Sequence, residues 1–130
     1  MLTISKKSQY GLRAMVQLAK KYKAREICSV KVISKKEGIP FDFLEKIILQ
    51  LEGAKLVKGK RGIGGGYMLS RSPSKINVSN IVSVLEGNKK PVNCTFCQRS
   101  KKCSAKNVWS KLENSLNKTL KSITLAGLTK

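Results

Sequence analysis

Apolar residues recur along this chain at the three- and four-residue spacing of an amphipathic helix. Leu12, Met15, Val16 and Ala19 predict a helix over residues 8–22. Leu44, Ile47, Ile48 and Leu51 predict another over 41–52, and Val78, Ile81, Val82 and Leu85 a third over 78–86. Trp109, Leu112, Leu116, Leu120 and Ile123 mark a long helix from about Ser104 to Ile123. A shorter helix fits between Ser29, a good N-cap, and Glu37, with Gly38 as its stop and Ile39-Pro40 as the turn after it. Residues 72–77, with Pro73, read as a polar loop and residues 88–103 as irregular chain, and one stretch reads as strand. Leu56–Lys58 and Tyr67–Leu69 read as two short strands around a basic, glycine-rich tip, Gly59 to Gly66. The expected fold is mainly α with a small β-hairpin, closed by a long C-terminal helix. No repeat or low-complexity tract interrupts it.

Composition narrows what such a fold can do. The 130 residues carry 27 lysines and arginines against 7 aspartates and glutamates, a net charge of +20. The excess is spread out: residues 1–71 hold 16 basic and 5 acidic residues, and residues 72–130 hold 11 and 2. Such a surface attracts polyanions, and nucleic acid is the leading partner. Apolar residues make up 41%, enough for a core, so a disordered basic tail is excluded. No run approaches the roughly 18 apolar residues of a membrane span, and the N-terminus lacks a signal-peptide core. The expected location is cytoplasmic, with no membrane partner. Histidine is absent and the acids are scattered, so no acid–base or nucleophilic constellation exists and the chain is not expected to be an enzyme.

The two short helices around Gly38 form a helix-turn-helix candidate, with Asp42, Glu45, Lys46 and Gln50 on the outer face of the second. The hairpin that follows reads as a wing. A nucleotide-binding loop is the competing reading of its glycines, but that needs a helix after them, and a strand follows here. Gly64 and Gly65 let the backbone approach a DNA groove closely, and Arg61 is placed to enter the minor groove.

Cys94, Cys97 and Cys103 follow at C-x2-C-x5-C spacing, among Lys89, Lys90, Arg99, Lys101, Lys102 and Lys106. In a reducing compartment three clustered thiols suggest metal more than disulfides. An iron–sulfur cluster, a zinc site and a thiol redox switch all remain open on spacing alone. Cys28, next to Ser29 at a helix start, reads as a buried small residue rather than a ligand.

The segments SKKSQYGLRAMVQLA, FDFLEKIILQLEGAKLVKGKRGIGGGYMLSR, INVSNIVSVLEG and SITLAGL, with the three cysteines, resemble the IscR/NsrR family of bacterial repressors over nearly the whole chain. The resemblance implies a winged helix-turn-helix in residues 1–71. Residues 72–130 would supply a cluster-binding loop and a dimerisation helix carrying Trp109, Leu112, Leu116, Leu120 and Ile123. It implies a homodimer on a double-stranded operator and a [2Fe-2S] or [4Fe-4S] cluster on Cys94, Cys97 and Cys103. Glu45 and Lys46 fall where the family's recognition helix reads bases, with Asp42 one turn earlier; a carboxylate there accepts from cytosine N4 and a lysine donates to guanine. Arg61 matches the wing arginine. Two departures stand out. Cys94 lies three positions later than the family's first cysteine, and Lys106 stands where the family's ligating histidine would be. The fourth ligand is therefore open among water, Ser8, Gln9, a carboxylate or a small molecule. The expected function is a transcriptional repressor that senses iron–sulfur status, redox state or nitric oxide. Two alternatives stand beside it: a DNA-binding regulator with a zinc or thiol switch, and a non-specific cationic protein on nucleic acid or membrane surfaces.

Overall fold

The computed structural model of this chain describes residues 4–87 and 102–129. Helix α1 spans Lys6–Tyr22, α2 Val30–Glu37 and α3 Phe41–Gly53; strands β1, Val57–Lys60, and β2, Gly66–Leu69, follow. After a 3-10 turn at Pro73–Lys75 come α4, Val78–Glu86, α5, Lys106–Ser122, and a short α6, Leu125–Leu128. Among the described residues no helix is long and apolar enough to cross a membrane.

Side-chain caps set the helix starts. Ser5 accepts from the Ser8 amide, Ser29 from the Val32 amide, and Asn77 and Asn80 cap one another reciprocally at the start of α4. Gly38 ends α2 in the left-handed region, φ 66°, a conformation that costs a side-chain-bearing residue a Cβ clash. The chain then turns through buried Ile39 into α3. These two helices and their glycine turn make the expected helix-turn-helix.

One apolar core joins α1 to α4, the hairpin and α6, and leaves α5 outside it. Met15 and Leu18 of α1, Ile33 of α2, and Leu44, Ile47, Ile48 and Leu51 of α3 are buried together with Val57 and Leu69 at the base of the hairpin. The same cluster takes in Ile76, Ile81 and Leu85, and Leu125 of α6. The core therefore runs past residue 71.

The hairpin is antiparallel, with Val57 opposite Leu69 and Lys60 opposite Gly66. It is longer than the sequence predicts, because Gly59 and Gly66 lie in the strands rather than in the tip. Cys28 adds a third pairing on the β2 side: its amide donates to Tyr67 O at 2.9 Å, and the Tyr67 amide donates to Cys28 O at 2.7 Å.

The C-terminal region differs from expectation at its end. Helix α5 stops at Ser122, and Ile123 is extended, φ −107° and ψ 119°. Ile123 O accepts from the Val78 amide at 2.8 Å, and the Leu125 amide donates to Ile76 O at 2.9 Å. The Thr124 side chain caps α6 by accepting from the Gly127 amide. A cap and two long-range hydrogen bonds outweigh one more helical residue, so the chain hooks back and buries Leu125 completely.

Candidate nucleic-acid interface

Helix α3 divides by face. Leu44, Ile47, Ile48 and Leu51 face the core, while Asp42, Glu45, Lys46 and Leu49 are exposed on the opposite side. The helix is held from behind by α1. Tyr10 meets Phe43 edge-to-face, with centroids 5.6 Å apart and planes at 84°. The Arg13 guanidinium sits 5.7 Å from the Tyr10 ring centre and also pairs with Glu37 at 3.1 Å. Gln17 donates to the same carboxylate, so α1 fixes the end of α2 and the start of α3 together.

The hairpin is tied to the far end of α3. A Cβ on Gly59 would lie 2.9 Å from Glu52 Oε2 and 3.1 Å from the Tyr67 ring, so these groups close directly over the β1 backbone. Burial pushes the Tyr67 phenol above its ordinary 10.0; Glu52 and then Glu45 push the same way, and Arg61 opposes them. That set of neighbours puts Tyr67 at the seam between reading helix and wing. Sequence reasoning did not find this seam, and only the aromatic after the glycine run hinted at it.

Arg61 and Gly64 are exposed at the hairpin tip, and Gly65 is half-buried. Gly65 and Gly66 have an internal reason to be glycine. A Cβ at 65 would lie 2.3 Å from Lys60 O, and one at 66 would lie 2.4 Å from Cys28 O.

Charge is segregated across this surface. Three of the chain's seven acids, Asp42, Glu45 and Glu52, sit on α3 with Lys46 as its one cation. The flanking elements are basic: Lys31, Lys35 and Lys36 on α2, and Lys58, Lys60 and Arg61 along the hairpin.

Of the predicted ligands, Cys94 and Cys97 lie outside the described residues. Cys103 is partly exposed just ahead of α5, where its carbonyl accepts from the Lys106 amide at 3.3 Å. Cys28 belongs to the hairpin side, apart from this segment in sequence. Burial pushes its thiol above the ordinary 9.0; Lys21 opposes, Glu26 adds and Lys36 opposes. At the near edge of the cysteine segment, Glu86 accepts from the Ser5 amide at 2.9 Å, from the Ser8 hydroxyl at 2.7 Å, and from the Ser5 hydroxyl. Ser8 is 1% exposed. This clamp joins the end of α4 to the start of α1 and has no signature in sequence, since its members stand about eighty positions apart.

Helix α5 has no buried residue. Trp109 and Leu116 keep 39% and 41% of their surface, and Leu112 and Leu120 are half-buried. Ile123 lies just past the helix, 37% exposed.

The sequence matches, over residues 4–130, the family described as Rrf2, iron-dependent transcriptional regulator. The chain belongs to the Rrf2 family. Among its relatives, the HTH-type transcriptional regulator CymR of Bacillus subtilis (strain 168) is 34% identical over 127 residues, covering 98% of this chain and 89% of CymR. The HTH-type transcriptional regulator IscR of Escherichia coli O1:K1 is 30% identical over 130 residues, covering 98% of this chain and 80% of IscR. Two solved structures are also similar. T. potens IscR superposes with a TM-score of 0.81 at 38% identity, over 98% of this chain and 85% of that one. The structure of CymR, the global cysteine regulator of B. subtilis, gives 0.84 at 35% identity, over 99% and 97%. This Rrf2-family chain is thus a winged-helix transcriptional regulator and not an enzyme, as its sequence predicts.

Proposed function

We propose that this regulator is a homodimeric repressor that reads a duplex operator with α3 and the hairpin and is switched by an iron–sulfur cluster on Cys94, Cys97 and Cys103. The observation that carries the reading is the exposed outer face of α3 beside a basic hairpin, both anchored to one core. Asp42, Glu45 and Lys46 supply base-edge partners, and Arg61, Gly64 and Gly65 form the tip that meets the minor groove. The apolar stripe of α5 supports the dimer. Trp109, Leu112 and Leu116, with Leu120 and Ile123 at the far end, offer a surface that a second copy would cover, setting two reading heads in two-fold symmetry.

Three thiols, one of them partly exposed ahead of α5, fit a thiolate-ligated cluster, whose bound form supplies redox and ligand-exchange chemistry. The lysines and arginine around them favour thiolate and offset a cluster's negative charge. The clamp supports coupling. Glu86 ends α4 at the border of the cysteine segment and holds Ser5 and Ser8, and α1 carries Tyr10 against Phe43 of α3. Cluster occupancy at the cysteines would bias α1 through this clamp, and through α1 the pose of α3.

The likeness to Staphylococcus aureus CymR, whose oxidized form is among the similar solved structures, favours a second reading, in which these thiols act as an oxidation switch with no cluster. The test is an absorption spectrum of anaerobically purified protein, with iron and acid-labile sulfide measured on the same sample, before and after alanine replacement of all three cysteines. Matched iron and sulfide that vanish in the triple variant, with a change in duplex affinity, support the cluster switch. Unchanged occupancy and affinity in the triple variant refute it. Colourless, iron-free protein that also fails reconstitution, yet loses affinity on thiol oxidation, supports the thiol switch.

A further inference from the structure

The hairpin ends in a residue that its own fold does not use. Ile63 has a relative exposure of 108%, the highest of the large apolar side chains among the described residues. It stands at the apex of a turn closed by the Gly65 amide donating to Gly62 O at 3.0 Å. Gly64, at φ 74°, occupies the third position of that turn, the geometry of a type II turn, and Ile63 the second. That second position accepts most residues and favours proline, so the turn itself does not call for isoleucine. Full hydration of a branched apolar side chain also brings the monomer nothing.

Its surroundings say what would cover it. Lys58, Lys60 and Arg61 lead up to the apex, and no acid occurs between Glu52 and Glu86. The complement is a polyanion. The apex is also slender. Gly62, Gly64, Gly65 and Gly66 add no side chains, and a Cβ built on Gly62 or Gly64 would meet open space. A narrow, cation-flanked, apolar tip matches the minor groove of a duplex, about 6 Å wide, better than a flat anionic surface.

We propose that Ile63 is an apolar wedge that enters the minor groove beside Arg61, packing on the deoxyribose walls and opening the base step beneath it. The inference rests on the wing reading above and adds a residue and a preference to it. The step under the tip should be a flexible pyrimidine–purine step, which opens at least cost. Arg61 supplies charge, and Ile63 supplies burial.

The probe is a duplex selected from a random 30-base-pair pool by the wild-type full chain. Its affinity is measured by fluorescence anisotropy across a salt series, with 2-aminopurine placed at the step under the wing. Ile63→Ala is expected to lose about tenfold in affinity, the worth of a partly buried aliphatic side chain, with the log–log salt slope unchanged. Ile63→Leu is expected to restore most of the loss and the 2-aminopurine brightening. Arg61→Ala should instead lower the salt slope by about one. Ile63 touches nothing in the fold, so equal thermal midpoints confirm that the variants are intact. If Ile63→Ala binds the selected duplex within twofold of wild type, the wedge is wrong and the DNA reading stands. If the wild-type chain enriches no sequence at all, the reading itself falls and takes the wedge with it. Loss of binding by Ile63→Ala to phosphatidylserine vesicles, with duplex affinity intact, would also overturn the proposal.

Discussion

Replacing Gly66 by alanine should cost this fold far more than one methyl group suggests. The new Cβ would lie 2.4 Å from Cys28 O, 2.6 Å from Cys28 C and 2.9 Å from Ile27 Cγ2. Cys28 and Gly66 must part by at least about 0.6 Å before even the 3.0 Å floor of such contacts is reached. The Cys28–Tyr67 hydrogen bonds, 2.9 and 2.7 Å, hold that gap closed and stretch with it. Losing both removes about 1 kcal/mol each, and the displaced backbone adds about 1–2 kcal/mol of misfit. The expected destabilisation is about 3 kcal/mol. Urea denaturation followed by circular dichroism, at one fixed protein concentration, measures it. Gly53→Ala is the matched control. It adds the same methyl at the end of α3, where nothing lies within 4 Å and φ is not positive, and it should be neutral or stabilising by up to about 1 kcal/mol. A Gly66→Ala variant within about 0.5 kcal/mol of wild type would refute the claim that the Cys28 pairing holds the hairpin.

Leu125→Ala should destabilise by about 2–5 kcal/mol, since it empties a fully buried position in the common core; a loss under about 1 kcal/mol would mean that the C-terminal hook is only laid on the surface. Cys28 should react with iodoacetamide more slowly in the folded chain than in urea, followed by peptide mass spectrometry, because burial holds its thiol protonated. Its raised folded pKa also gives a sign: the associated stability is present below the ordinary thiol value of 9.0 and is lost as pH rises through the higher folded value, so the urea midpoint should fall on the alkaline side. Glu45→Ala should relax base preference at one position of a selected duplex by about 1–3 kcal/mol while the salt slope stays within error; a uniform loss on all sequences would place Glu45 outside base contact.

The readable parts of this protein were those whose cause is local. The stripe Leu44, Ile47, Ile48, Leu51 specifies a helix and its buried face by spacing alone, and Ser29 and Gly38 mark the ends of the helix before it. The glycine run was legible as a hairpin, but not the reason for each glycine. Gly66 is dictated by a carbonyl thirty-eight positions earlier in the chain, which no local pattern records. The return of Leu125 was hidden for a similar reason: a four-residue helix is too short to show a period, and the groups that receive it, Ile76 and Val78, come from another element. The Glu86 clamp depends on contacts between the two ends of the first described stretch, residues 4–87. The candidate site divides along the same line. Asp42, Glu45, Lys46 and Arg61 were visible from pattern and resemblance, whereas Tyr67 at the seam and the bare apex at Ile63 needed coordinates.

The acids gathered on α3 have a consequence for how such a protein searches. Phosphate repels a helix that carries Asp42, Glu45 and Glu52, so in the proposed complex α3 gains nothing from bare backbone and is held off it. It would engage only where base edges match Asp42, Glu45 and Lys46 and repay the approach. Holding the duplex is left to the lysines of α2 and of the hairpin, which do not distinguish one sequence from another. In that complex the lysines would serve travel along DNA, while α3 and the hairpin tip would recognise a stopping place. Added salt should weaken the hold of those lysines on every sequence.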